Sequence, residues 1–228
     1  MPCNCCEITD SAFSETEARA ELRNYRRRGP AGQTKLILAA IRSLGLKNLK
    51  LLDIGGGIGV IHHELLKDVA REATHVDASS AYLKEARKEA AQRGHGERVR
   101  FIHADFTDVA GELPEADIVT LDRVVCCYPN FRALLRAAAD HSQHALAFTY
   151  PRETWYMRIG LKIINFFQRL RKDPFRVFLH PVAEMDALLK REGMERVSLR
   201  RIFVWEMALY RRTGGQIRQR FTRMVPQV

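Results

Sequence analysis

Leu51-Leu52-Asp53-Ile54-Gly55-Gly56-Gly57-Ile58-Gly59 decides how the rest of this 228-residue chain is read. A short apolar run, Lys50–Ile54, goes straight into glycines, which predicts a buried strand that stops abruptly. Glycine lets the backbone turn without a Cβ clash and approach a ligand closely. The segment after it, Gly59–Val69, has helical spacing, and a helix starting there points its first N–H groups back at the turn. Working outward, Ala73–Asp77, Arg100–Ala104, Asp117–Leu121 and Ala145–Thr149 predict strands, and Ser79–Arg93 and Phe131–Ala139 predict helices between them. Strands alternating with helices of this length imply βαβ units and a parallel sheet. Upstream, residues 14–28 predict a helix with Ser14 as N-cap and Glu17 completing a capping box, and Gln33–Leu44 predicts a second. Downstream, 152–178 interrupts the alternation as a basic, aromatic insert. Pro181–Arg191 resumes as a helix, and Arg196–Ile202 and Val204–Arg211 are nearly contiguous extended runs that suit an antiparallel edge pair.

The expected fold is therefore α/β: a doubly wound, Rossmann-like, seven-stranded, mostly parallel sheet. It carries an antiparallel C-terminal hairpin, N-terminal helices and a helical cap insert. The expected organisation is an N-terminal helical cap segment (1–34), a main domain (35–211) containing the 152–178 cap, and a basic C-terminal tail (212–228).

Two nucleotide-binding families use a glycine turn of this kind. The dinucleotide fingerprint needs a small residue at the sixth position, where Val60 stands, so it fails. Asp53-x-Gly55-x-Gly57-x-Gly59 resembles instead the first motif of class I S-adenosylmethionine-dependent methyltransferases. The stations downstream agree. Asp77 ends the second strand, where a carboxylate accepts hydrogen bonds from ribose hydroxyls. Ala78 follows it. Asp105-Phe106 follows the third strand, where that family receives the adenine amino group and packs the ring. Asp122-Arg123 ends the fourth, where it floors the methionine end. The resemblance covers about residues 35–211 and implies S-adenosylmethionine as cofactor and S-adenosylhomocysteine as product, held by Asp53, Gly55, Gly57, Gly59, Asp77, Ala78, Asp105, Phe106 and Asp122. Asp53 either orients the loop or contacts the methionine part directly.

The acceptor is set by the loop Asp122-Arg123-Val124-Val125-Cys126-Cys127-Tyr128-Pro129-Asn130 and by the insert. The loop lacks the Asn/Asp-Pro-Pro-Tyr/Phe motif of amino-methylating nucleic-acid enzymes and the Pro-Cys of cytosine-C5 enzymes. Tyr128-Pro129 with an aromatic cap after the fifth strand is similar to magnesium-protoporphyrin O-methyltransferases, which methylate a carboxylate on a large flat ring. Those place His before Tyr-Pro; this chain has Cys127. Arg123, Cys127 and Tyr128 are the candidate catalytic residues, and Tyr25, Cys126, Arg152 and Trp155 the candidate acceptor contacts. The function expected is methyl transfer to a small-molecule acceptor, with carboxylate or hydroxyl O-methylation favoured. A thiol or thiophilic acceptor at Cys126/Cys127 is the alternative, and a non-catalytic RNA- or membrane-surface-binding module a third reading. No metal site is expected: Cys3-Asn4-Cys5-Cys6 is not a paired zinc knuckle, and His62-His63 reads as surface or packing.

Composition limits the partners. Forty-six per cent of residues are hydrophobic, enough for a sizeable core. The net charge of +10 arises in two places: residues 150–180 and the acid-free segment 207–228. The first 149 residues are balanced, so a nucleic-acid binder that is basic throughout is disfavoured. In the insert, Trp155, Ile159, Ile163, Phe166, Phe167 and Leu170 recur at helical spacing among basic residues. That suits a lid over an apolar acceptor with anionic groups, or a helix in peripheral contact with a membrane. Five cysteines in two clusters and no secretory leader pattern argue for a reducing cytoplasm. No apolar run reaches spanning length.

Overall fold

A computed structural model describes Asp10, residues 13–171 and residues 173–213. Cys3, Cys5, Cys6 and the tail beyond Thr213 lie outside the described residues. The chain begins with α1 (Glu15–Arg28), capped as expected by the reciprocal Ser14–Glu17 pair, and α2 (Gly32–Arg42). The alternation follows: β1 (Leu49–Ile54), α3 (Val60–Leu65), β2 (Ala70–Asp77), α4 (Ser80–Gln92), β3 (Val99–His103), α5 (Phe106–Val109), β4 (Ala116–Leu121), α6 (Phe131–His141) and β5 (Ser142–Pro151). The long insert helix α7 (Trp155–Leu170) precedes α8 (Val182–Arg191), β6 (Met194–Arg201) and β7 (Trp205–Arg212).

The seven strands form one sheet in the order β3-β2-β1-β4-β5-β7-β6. Pairing is parallel from β3 to β5, and β7 joins β5 antiparallel, with β6 outside it. The chain winds outward from β1 to β3 and then returns to place β4 on β1's other side. Loops leaving β1 and β4 therefore diverge and open a crevice at the strands' C-terminal ends, the place where open α/β sheets bind ligands.

Alternation along the central strands separates two apolar layers. Leu146 and Phe148 of β5 join Leu52, Leu121 and Tyr210 under α6 and α8. Ala145 and Ala147 face the other way, where their small size lets Ile37 and Ile41 of α2 approach the sheet. Two expected boundaries move. The helix after the glycines ends at Leu65 rather than Val69, because Val69 already accepts a hydrogen bond from Leu49 N–H as β2 approaches β1. Strand β5 runs to Pro151 rather than Thr149, because β7 pairs with it as far as Pro151↔Trp205. Phe148 is fully buried and stacks on Tyr210, with ring centroids 5.7 Å apart. Phe148→Ala should cost about 3–5 kcal/mol of stability, read as a drop in urea midpoint.

Candidate functional site

The turn after β1 depends on glycine. Gly55, Gly57 and Gly59 all have positive φ, at 60°, 57° and 85°. A Cβ on Gly55 would lie 2.4 Å from Val124 Cγ2 of the β4 loop, and one on Gly59 2.3 Å from the His62 ring. Gly57 N–H donates to Asp77 Oδ2 at 2.8 Å, and Ser79 N–H donates to Asp77 Oδ1 at 2.8 Å. The ends of β1 and β2 are thus tied together through one carboxylate. Burial raises its pKa to about 6 against the pull of these two N–H donors.

Behind the turn sits a buried polar cluster. Asp53 Oδ1 accepts from Thr120 Oγ1 at 2.8 Å, and its Oδ2 lies 3.5 Å from His62 Nδ1. His62 Nδ1 and His75 Nδ1 face each other at 3.2 Å, one ring donating and the other accepting. Burial pulls both imidazoles down to about 3, so both are neutral near pH 7. Asp53 does not line the large cavity; it lines the smaller recess beneath the glycines, beside Asp122 and Arg123. His62-His63 is packing rather than surface, since both rings are fully buried. Asp53, His62 and His75 also bring one possible ligand atom each within 4.8 Å of one another, a grouping the sequence reading did not anticipate.

A cavity of about 500 Å³ fills the crevice. Gly55, Gly57, Asp77, Ala78, Asp105, Phe106 and Asp122 line it, together with the acceptor-side candidates Arg123, Cys126, Cys127 and Tyr128. Gly59 does not; its conformation serves the contact with His62. Asp122 accepts from Thr149 Oγ1 at 2.6 Å and from Thr34 Oγ1, and Thr149 Oγ1 also receives Arg123 N–H at 2.8 Å. Those threonines hold the β4 loop, with Arg123 at a φ of 63°, yet neither stood out in the sequence. The Arg123 guanidinium donates to Glu21 at 2.6 Å, so α1 closes one wall. Phe13 adds an edge, in T-shaped contact with Tyr82 and with Phe175 of the insert.

Three acceptor candidates are placed elsewhere. Tyr25 donates its hydroxyl to Glu64 at 2.6 Å and packs against Arg93, lining a smaller recess beneath the glycines. Arg152 turns to Phe203 O and Glu206 at the edge of the sheet. Trp155 stands 74% exposed. None of the three lines the large cavity. The Tyr128 ring does, but its hydroxyl is held by both oxygens of Asp105, at 2.8 and 3.0 Å, and by Thr107. Burial and the Asp105 charge push that phenol well above its ordinary value. Cys126 and Cys127 are free thiols with sulfurs 3.7 Å apart. Their hydrogen bond lowers Cys127 and raises Cys126, and Arg123 assists the former.

Residues 51–144 match the methyltransferase domain family. That stretch carries the methyltransferase-domain pattern, and the seven-stranded sheet with its antiparallel C-terminal hairpin has the Rossmann-like methyltransferase fold. Among solved structures, magnesium protoporphyrin IX methyltransferase from Synechocystis PCC 6803 with bound S-adenosylhomocysteine superposes with a TM-score of 0.70 at 19% identity, over 91% of this chain and 99% of that one. An O-methyltransferase family protein from Burkholderia thailandensis gives 0.70 at 16% identity, over 92% and 63%. An O-methyltransferase family 2 protein from Planctomyces limnophilus in complex with apigenin gives 0.59 at 19%, over 88% and 62%. No curated protein sequence matches the chain.

The methyltransferase cofactor fits these residues. The glycines leave the cavity wall without side chains that would fill it, and Asp77 presents a buried carboxylate at that wall. Gly55→Ala should weaken S-adenosylhomocysteine binding in calorimetry and lower stability by about 1–3 kcal/mol, from positive φ plus the Val124 contact. Adding Val124→Ala should restore only the part due to the contact. A second expectation concerns pH. Imidazoles whose folded pKa is depressed stabilise the fold above their unfolded value of 6.5, and that stability is lost as pH falls below it. Between pH 7 and pH 5 the loss is about 2 kcal/mol per ring. Urea unfolding of His62→Gln/His75→Gln should therefore depend less on pH over that window than the unsubstituted protein.

Proposed function

We propose that this methyltransferase acts on a large, mostly apolar small molecule and methylates a carboxylate oxygen on it. The observation that carries the reading is the composition of the cavity. Beyond the cofactor stations its walls are Val124, Leu134, Met157, Leu161, Ile164 and Trp205, an apolar surface far larger than a small polar acceptor needs. Among the described residues no histidine or lysine lines it. A hydroxyl or amine acceptor calls for a base at the reacting atom, whereas a carboxylate is already ionised. Arg123 is the one cation among the described lining residues, and in this structure it is paired with Glu21.

When bound, S-adenosylmethionine supplies an electrophilic methyl carbon on a sulfonium; transfer to a carboxylate gives a methyl ester and a neutral thioether, with no proton to remove. The chain's own contribution is placement. Asp77 and the Gly55–Gly57 turn would hold the ribose end, with Asp105 and Phe106 at the adenine. Asp122, fixed by Thr34 and Thr149, would floor the methionine end. The apolar wall would exclude water and align the acceptor, and alignment alone is worth several kcal/mol. The likeness to a porphyrin methyltransferase and to an apigenin complex supports a flat, apolar acceptor class.

Calorimetry should show S-adenosylhomocysteine binding, and Asp77→Ala should weaken it on the order of a hundredfold, the loss of two hydrogen bonds to a charged group. Affinity should also fall as pH drops through about 6, where the Asp77 carboxylate protonates. No binding at millimolar ligand would sink the reading. A screen of apolar carboxylic acids with labelled cofactor should then yield methyl esters, and turnover only with phenols would refute the carboxylate choice.

The paired thiols favour a second reading, in which Cys127 engages a thiophilic acceptor. It predicts that Cys127→Ser abolishes turnover with cofactor affinity intact; unchanged turnover removes it.

A further inference from the structure

Helix α7 presents three distinct faces. At 100° per residue, Met157, Leu161 and Ile164 form an inner face that lines the cavity. Trp155, Ile159, Ile163, Phe166, Phe167 and Leu170 fall within an outer arc of about 120°, and all six are exposed. Arg158, Lys162 and Arg169 fall in a narrow arc bordering it. Residues 154–171 contain no acid. Arg158 reaches back to Glu153, while Lys162 and Arg169 have no ion pair among the described residues. The patch continues beyond the helix: Phe203, 81% exposed at the turn between β6 and β7, stacks with Tyr156 at 6.5 Å. A contiguous apolar surface of this kind on a folded chain marks an interaction site.

The charge pattern selects the occupant. A second copy would bring one basic arc up against another. Closure over the cavity cannot bury the outer arc, since the inner face already points there. An apolar arc edged by cations suits an anionic bilayer, with aromatic and aliphatic side chains among the acyl chains and lysine and arginine at the headgroups. Among the described residues no helix is long and apolar enough to cross a membrane, so contact would lie in the plane of the surface.

We infer that α7 and the Phe203 turn dock this protein on an anionic phospholipid surface. An apolar acceptor dissolved in that bilayer would then enter the cavity past the inner face of the same helix. The entry route rests on the acceptor proposed above; the docking does not.

The full chain should co-sediment with phosphatidylcholine vesicles containing phosphatidylglycerol, more weakly with phosphatidylcholine alone, and less as salt is raised. Phe166→Glu/Phe167→Glu changes only exposed side chains. It should cut vesicle binding roughly tenfold or more, with S-adenosylhomocysteine affinity unchanged. Lys162→Glu/Arg169→Glu should remove the preference for anionic lipid. Trp155 fluorescence should shift to the blue on adding anionic vesicles, a shift that Trp205→Phe should leave in place. Absence of vesicle binding, or binding that neither double variant alters, would overturn the inference. So would lipid-free dimerisation abolished by Phe166→Glu, which gives the face to a second copy. A blue shift of Trp155 with cofactor product alone would overturn it too, assigning the face to closure. Because binding is read without turnover, failure here is separable from failure of the proposed chemistry.

Discussion

The space behind the β1 turn has no room for a side chain, and the site is built around that fact. Val124 occupies it from the β4 loop and His62 from α3, so Gly55 and Gly59 must be glycine and must take left-handed backbone. That conformation aims Gly57 N–H at Asp77, which fixes the end of β2 against the end of β1. It also brings the β4 loop close enough for Asp122 to share a cavity with the glycines. A tight contact between two loops far apart in the chain, at Gly55 and Val124, thus defines the glycine end of the crevice. The parallel sheet supplies only the strand ends on which it is mounted.

The buried cluster under the turn follows from the same constraint. A carboxylate at Asp53 cannot be solvated there, so it needs donors from inside the core, and Thr120 gives one. Neutral imidazoles fill the remaining space without adding charge, at the cost of ring nitrogens left without hydrogen bonds: His62 Nε2 and His75 Nε2 make none among the described residues, His75 Nε2 lying 3.9 Å from Asp77 Oδ2. Such incompletely satisfied polar groups are expensive inside a protein. Their placement directly beneath the glycines gives the loop a rigid floor, which a ligand-binding turn needs more than it needs extra stability.

The topology, the glycine turn and the gathering of Asp77, Asp105 and Asp122 on one cavity were legible because strand-end positions are fixed by local pattern. Period-two and period-3.6 spacing locate the strands and helices, and glycine and aspartate at strand ends have few other uses. The acceptor side was less legible. Tyr25 and Arg152 look free in the chain but are claimed by Glu64 and by the Phe203–Glu206 edge, long-range pairings that spacing cannot show. Thr34 and Thr149 are invisible for the converse reason: ordinary residues gain a role only when folding places both on one carboxylate. His62 carries no local sign of burial, since a helix two turns long has too little periodicity to set its inner face.

Charge and apolarity in the insert also read differently once α7 is in place. As a stretch of sequence, an aromatic and basic segment is equally compatible with a lid, a cover helix and a surface anchor. The helix separates these by angle. Apolar side chains divide into an inner set over the cavity and a larger outer set with nothing described against it, and the cations gather on one border between them. A cover helix would bury most of its apolar residues; this one buries Leu161 alone. The α7 cations thus lie on the border of its outer face, while residues 1–149 are balanced in sign. On the function proposed above, the basic insert bears on how the acceptor is met, and the neutral core on how the methyl donor is held.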